Sequence, residues 1–163
     1  MSDFSRKLIS FLLTFCISAT LFAFEDGQVV RLVKGKYSLI VENSSLDASA
    51  NAVLWTETST HSQRWRIVDT GRGTFYLQNV YSQLYLGGVT TAGNKSVVGQ
   101  ITKNLTRGAW ELVPVEGAEN KYHIYISKAR RYALSPDSEV KEGTGVILLT
   151  ASSADPEQIE WEI

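Results

Sequence analysis

The side chains of this chain that are capable of chemistry are scattered rather than grouped. His61 lies among Thr, Ser and Gln, and His123 sits in an alternating apolar stretch; neither has metal-ligand spacing or a paired nucleophile. Carboxylates are plentiful, as in Asp155-Pro156-Glu157, but none stands out from a solvated turn, whereas glycoside hydrolysis needs two acids held across a defined gap. Gly71-Arg72-Gly73 and Gly87-Gly88 are hairpin text with no helix after them, so neither reads as a phosphate loop. Lys128, Arg130 and Arg131 form the one local basic cluster, in a hairpin-like segment that reads as a solvated turn, with a phosphate site as the alternative. Asn43, Asn94 and Asn104 head Asn-x-Ser/Thr sequons, which are acceptors only in a glycosylating eukaryote. The expectation is therefore no catalytic residue, no metal and no cofactor.

The first 23 residues differ in character from the rest. Arg6 and Lys7 precede an apolar run from Leu8 to Ala23, which ends at once in Glu25-Asp26-Gly27 with no basic stop-transfer cluster. That pattern predicts a cleaved secretory signal peptide rather than a membrane span, with cleavage after Ala23 and a secreted or periplasmic product. A lipid anchor on Cys16 fits poorly, because Phe15 stands where a small residue is normal. Cleavage removes the single cysteine, so packing alone must stabilise the 140 residues that remain. That length suits one hydrophobic core, and residues 24–163 are expected to form one domain. Without Asp3, Arg6 and Lys7 the 16 basic and 17 acidic residues fall to 14 and 16, for a net charge near −2. Nothing in this balance points to nucleic acid or an anionic membrane as a partner.

The elements that must position any site are strands. After residue 27 the apolar residues alternate or come in short runs: Val29 to Val33, Tyr37 to Val41, Phe75 to Val80 and Tyr122 to Ile126. Turn text separates them at Asp69 to Gly73, Gly117 to Asn120 and Glu142 to Gly145. The chain is expected to be all-β, with about twelve short strands in a barrel or multi-sheet arrangement.

A threefold repeat organises these strands. Tyr37-Ser38-Leu39 runs through Ala52-Val53-Leu54 to Gln63-Arg64-Trp65, and Leu84-Tyr85-Leu86 runs through Val97-Val98-Gly99 to Gly108-Ala109-Trp110. The third copy runs from Tyr132-Ala133-Leu134 through Val146-Ile147-Leu148 to Gln158-Ile159-Glu160-Trp161. The leucine-to-tryptophan spacings are 26, 24 and 27. Copies at roughly 27–69, 70–115 and 116–163 would each expose an apolar face alone, so the three must fold together. Trp65, Trp110 and Trp161, with Leu39, Leu86 and Leu134, are the predicted core.

This repeat resembles the ricin-type β-trefoil lectin repeat, whose copies end in Gln-x-Trp, and the resemblance spans essentially the whole chain after the leader. The motif is intact once, at Gln63-Arg64-Trp65; the second copy lacks the Gln and the third carries it one residue early. The resemblance implies a shallow sugar pocket per repeat: an Asp just after the early Leu, an aromatic about ten residues before the closing Trp, and an Asn beside the Gln. A pyranose has one apolar face and a rim of hydroxyls, so a ring with a few polar groups suits it. In the first copy these places fall on Ile40, Trp55 and Ser62, in the second on Gly87, Gln100 and Arg107. In the third they fall on Ser135, Thr150 or Ala151, and Glu157.

The first copy is thus the candidate, with Trp55 as platform and Asn43, Asp47, Asn51, Ser62 and Gln63 as candidate polar partners. Two of these carry structural readings as well: Gln63 in this family usually holds backbone groups, and Asp47 to Asn51 is ordinary turn text. What the resemblance implies is a non-catalytic carbohydrate-binding module, with a glycan or polysaccharide as ligand, accompanying a polysaccharide-degrading enzyme whose glycosidase domain would be its partner. The alternative is a trefoil that has lost sugar binding and serves protein interaction, on the ground that Ile40 replaces the acidic acceptor.

Overall fold

The computed structural model describes residues 24–92 and 95–163. The leader, Cys16 and the Asn94 sequon lie outside the described residues. Thirteen strands are present among the described residues: β1 (Val29–Val30), β2 (Val33–Lys34), β3 (Tyr37–Val41), β4 (Ala52–Thr56), β5 (Trp65–Asp69), β6 (Phe75–Asn79), β7 (Tyr85–Ala92), β8 (Lys95–Ile101), β9 (Trp110–Pro114), β10 (Lys121–Ile126), β11 (Tyr132–Pro136), β12 (Val146–Thr150) and β13 (Glu160–Glu162). Two α-helical turns, α1 (Leu105–Gly108) and α2 (Pro156–Ile159), accompany them. The fold is a β-trefoil.

All strand pairs are antiparallel, and the first and last strands of the repeats alternate around a closed ring. β5 pairs with β1 and β6, β9 with β6 and β10, and β13 with β10 and β2, where Glu162 opposite Val33 closes the circle. Closure leaves no unpaired edge in the barrel. The stretch from Val29 to Val33, expected as one strand, is split into β1 and β2. The reason is a change of partner: Val29 and Val30 pair with β5, whereas Val33 pairs with β13 and β3.

The middle strands form three hairpins, β3–β4, β7–β8 and β11–β12, which meet one another. Ile147 opposes Val97, Asn51 bridges Gly99, and Val53 bridges Gly145. At Gly99 the approach is so close that a Cβ would stand 2.2 Å from the Ala50 carbonyl oxygen, which only glycine permits.

The core repeats with the strands. Leu32 comes from the link between β1 and β2, Leu77 and Ile124 from the first strands of the other repeats, and Leu39, Leu86 and Leu134 from the second strands; all are fully buried. Trp65, Trp110 and Trp161 are also buried, and each indole Nε1 donates to the carbonyl of its own repeat's leucine: Leu39 at 3.1 Å, Leu86 at 2.9 Å and Leu134 at 2.9 Å. Burying an indole removes roughly 200 Å² from water and contributes on the order of 5 kcal/mol, against about 1 kcal/mol net for its hydrogen bond. Burial supplies the stability, and the bond sets the orientation.

Each repeat enters its last strand through one helical turn. A 3₁₀ turn (His61–Gln63) precedes β5, α1 precedes β9 and α2 precedes β13. The Asn104 side chain caps α1 by accepting from the Thr106 and Arg107 amides, and Asp155 caps α2, with Pro156 in its first turn. Two residues before each closing tryptophan stand Gln63, Gly108 and Ile159, all buried. Only the first is polar. Its amide oxygen accepts from the Thr58 N–H and its amide nitrogen donates to the Thr56 carbonyl, so it clasps the loop after β4.

Candidate functional site

Trp55 lies on β4 opposite Ser38 of β3, and 43% of its surface is exposed. Beneath it runs a loop from the third repeat. The Gly143 N–H donates to the Leu54 carbonyl, the Leu54 N–H donates to the Thr144 carbonyl, and the Thr56 hydroxyl bonds the Glu142 carboxylate. Gly143 has φ +82°, which favours glycine, and a Cβ there would be in ordinary contact with the ring, 4.0 Å from Trp55 Cζ3. The indole is thus seated by backbone from another repeat while one side stays open to solvent.

A depression of about 370 Å³ opens beside the ring. Its apolar wall is Ile40 and Val53, and its polar rim is Glu42, Asn43 and Ser44, which form the 3₁₀ turn directly after β3. Asn43 and Ser44 both have positive φ (54° and 50°), which curls this turn. An aromatic face with a carboxylate, an amide and a hydroxyl at its edge has the composition that holds a pyranose.

The other named candidates lie elsewhere. Gln63 is buried with both amide atoms engaged by backbone, and the buried Ser62 pairs its hydroxyl with Thr60. Asp47 and Asn51 sit where the first repeat crosses the second: the Asp47 carbonyl accepts from the Gln100 amide at 2.7 Å, and Asn51 bridges Gly99. Of the polar set, the structure places Asn43 with Trp55. Glu42 and Ser44 were missed. No strand period marks them, because both lie in the 3₁₀ turn that follows the end of β3 at Val41.

In the other two copies the acceptor place is buried. In the second, Gly87 is buried and a Cβ there would stand 2.5 Å from the Arg107 carbonyl oxygen and 2.4 Å from Ile101 Cδ1. Gln100, at the stacking place, is buried and donates to the Ser45 and Asp47 carbonyls. Arg107 turns back onto the Gly88 carbonyl, at 2.7 and 2.9 Å. In the third, Ser135 is buried and its hydroxyl donates to the Pro136 carbonyl.

Acidic groups do converge around a depression lined by Glu157, Glu160 and Glu162 together with Lys34 and Lys121. The Lys34 ammonium donates to the Glu157 and Glu160 carbonyls, and Lys121 pairs with the Glu160 carboxylate at 3.1 Å. Two ammonium-to-carbonyl bonds and one ion pair therefore tie α2 and β13 to β2 and β10, which is not an arrangement of two carboxyls across an open gap. Among the described residues no three His, Cys, Asp or Glu side chains come together as a metal site, and no helix is long and apolar enough to cross a membrane.

His123 adjoins this network on β10, its Nδ1 3.3 Å from the Tyr125 hydroxyl. Burial pushes its pKa below the ordinary histidine value, with Lys34 acting in the same direction and Glu160 and the Pro156 backbone opposing. The fold therefore favours neutral His123. This contribution to stability is complete above the unfolded value, about 6.5, and is lost as pH falls from there through the lower folded value. Thermal melts from pH 7 to 5 are expected to show a falling midpoint, and His123→Gln to flatten that fall. An equally steep fall in the variant would place the effect elsewhere.

Residues 21–101 match the family model described as ricin-type beta-trefoil lectin domain-like. Among solved structures, the designed threefold-symmetric protein ThreeFoil superposes with a TM-score of 0.71 at 23% identity, over 82% of this chain and 96% of that one. The ricin B-like lectin of Macrolepiota procera, solved with lactose, gives 0.70 at 19% identity over 86% and 96%. The exo-beta-1,3-galactanase 1,3Gal43A from Clostridium thermocellum gives 0.71 at 22% identity, over 85% of this chain and 30% of that enzyme. No curated protein matches the chain.

Proposed function

We propose that this chain, similar in fold and over residues 21–101 to the ricin-type β-trefoil lectin domains, is a secreted, non-catalytic carbohydrate-binding module that binds through its first repeat. The observation that carries this reading is the half-exposed Trp55 ring seated on Gly143 beside Glu42, Asn43 and Ser44. Glu42 bears on the rival reading of a trefoil that has lost sugar recognition. Ile40 does lack the acceptor, but a carboxylate stands at the same depression two residues on. At the matching places of the second and third copies Gly87, Gln100 and Ser135 are buried, which favours that rival at those places.

One shallow site binds weakly, because sugar hydroxyls must exchange water for protein, so useful avidity requires several copies or a tethered partner. A role beside a polysaccharide-degrading domain supplies such tethering, and similarity to a minor part of the Clostridium thermocellum galactanase supports it. Titration with lactose and a panel of neutral oligosaccharides, read by tryptophan fluorescence, tests the site. Trp55→Ala is expected to weaken binding by about tenfold or more, the scale of one aromatic contact, and Glu42→Gln to weaken it less. No binding of any neutral glycan at millimolar concentration would sink the lectin reading.

A further inference from the structure

A second depression, in the third repeat, has the opposite charge to the first. We propose that it is a binding site for an acidic saccharide, a sulfated sugar or a uronate, recognised by the Arg131 guanidinium and the Tyr132 ring. It shares no lining residue with the Trp55 pocket and holds about 470 Å³.

The turn before β11 builds it. Ser127 and Arg130 both take positive φ (58° and 50°), the Ser127 N–H donates to the Ala109 carbonyl, and the Arg130 N–H donates to Ser127. Arg130 is then committed: its guanidinium makes a two-pronged pair with Glu111 at 2.7 and 2.8 Å and lies 6.0 Å from the Tyr125 ring centroid. That pair neutralises the Glu111 carboxylate beside this turn. Arg131 has no side-chain hydrogen bond or ion pair among the described residues. Its backbone carbonyl accepts from the Ala151 N–H, which draws the 3₁₀ turn Ala151–Ser153 alongside, and β12 brings Thr150 opposite Tyr132.

The result is a guanidinium without a partner, a phenol ring 46% exposed, and the side chains of Thr150 and Ser152, with no acidic side chain in the lining. A ring face with hydroxyls suits a pyranose, and a free planar guanidinium suits a sulfate or carboxylate, which it meets with two parallel N–H donors. The first pocket carries Glu42 instead and repels such a ligand. One fold would thus present two differently charged sugar sites.

Calorimetric titration with a heparin-derived tetrasaccharide, an oligogalacturonate and lactose, each at low and at physiological ionic strength, tests the proposal on the whole chain. At least one acidic probe should bind, more weakly as salt rises. Arg131→Gln and Tyr132→Ala should each weaken that binding by about tenfold or more, Arg131→Lys by less, and Trp55→Ala should leave it unchanged. Preference between the two acidic probes identifies sulfate or carboxylate as the recognised group. The proposal falls if neither acidic probe binds at millimolar concentration, or if Arg131→Gln binds as wild type with circular dichroism unchanged. The lactose arm reports on the Trp55 site separately, so failure of one site is distinguishable from failure of the other.

Discussion

Trp161→Ala is expected to lower the free energy of unfolding by about 3–5 kcal/mol, the cost of truncating a fully buried large aromatic. Domains of this kind have about 5–15 kcal/mol in total, so the variant should sit near the folding threshold. The position is demanding for two reasons. The indole fills the core from a strand of only three residues, β13, whose pairing with β10 and β2 closes the barrel. Its Nε1–H also satisfies the Leu134 carbonyl, which would otherwise be buried without a donor at a cost of about 1–3 kcal/mol. Trp161→Phe isolates that second part, since it keeps most of the apolar volume and orphans the carbonyl. Because Trp65 and Trp110 make the same bond within their own repeats, their alanine variants should fall in the same range. Urea unfolding measures all of them. A loss below about 1 kcal/mol at any of the three would mean that the indole is not the anchor its burial implies.

Gly87→Asp, which puts an acid at the family's acceptor place in the second repeat, is expected not to fold. The new Cβ meets the Arg107 carbonyl oxygen at 2.5 Å, and that atom is backbone, so β7 would have to move as a strand. Overpacking of this kind costs about 1–3 kcal/mol, and an unpaired carboxylate in a buried position adds several more. The matched change in the first repeat has the opposite outlook. Ile40 is only half-buried and lines the Trp55 depression, so Ile40→Asp should fold and tighten neutral-sugar binding. Circular dichroism and thermal melts decide the first expectation, and the fluorescence titration decides the second. A Gly87→Asp protein melting within a few degrees of wild type would show that the second pocket can open.

The fold was legible because its period is written in large apolar residues. Three tryptophans, each some two dozen residues after a buried leucine, report threefold packing whatever the loops between them do. The division of the first strand was not legible, since Val29 to Val33 reads as one β-branched run and the break comes from a change of partner between β5 and β13. At the site, Trp55 could be found by its distance from Trp65. Glu42 and Ser44 could not be weighted, because a 3₁₀ turn with two left-handed residues has no periodic signature. Asp47 and Asn51 read as ordinary turn text; that their backbone crosses to Gln100 and Gly99, with both residues still exposed, follows from a long-range contact the chain does not display. Gly143, which seats Trp55, belongs to the third repeat for the same reason.

The three indole bonds to leucine carbonyls also divide the tryptophans by how their N–H protons meet water. Those of Trp65, Trp110 and Trp161 are enclosed and bonded, so they exchange with solvent deuterium only when the barrel opens. Trp55 Nε1 has no hydrogen-bond partner among the described residues, and its proton exchanges from the folded state. The molecule therefore carries three internal clocks for global unfolding and one probe of its candidate sugar face, separable in a single indole spectrum without any label.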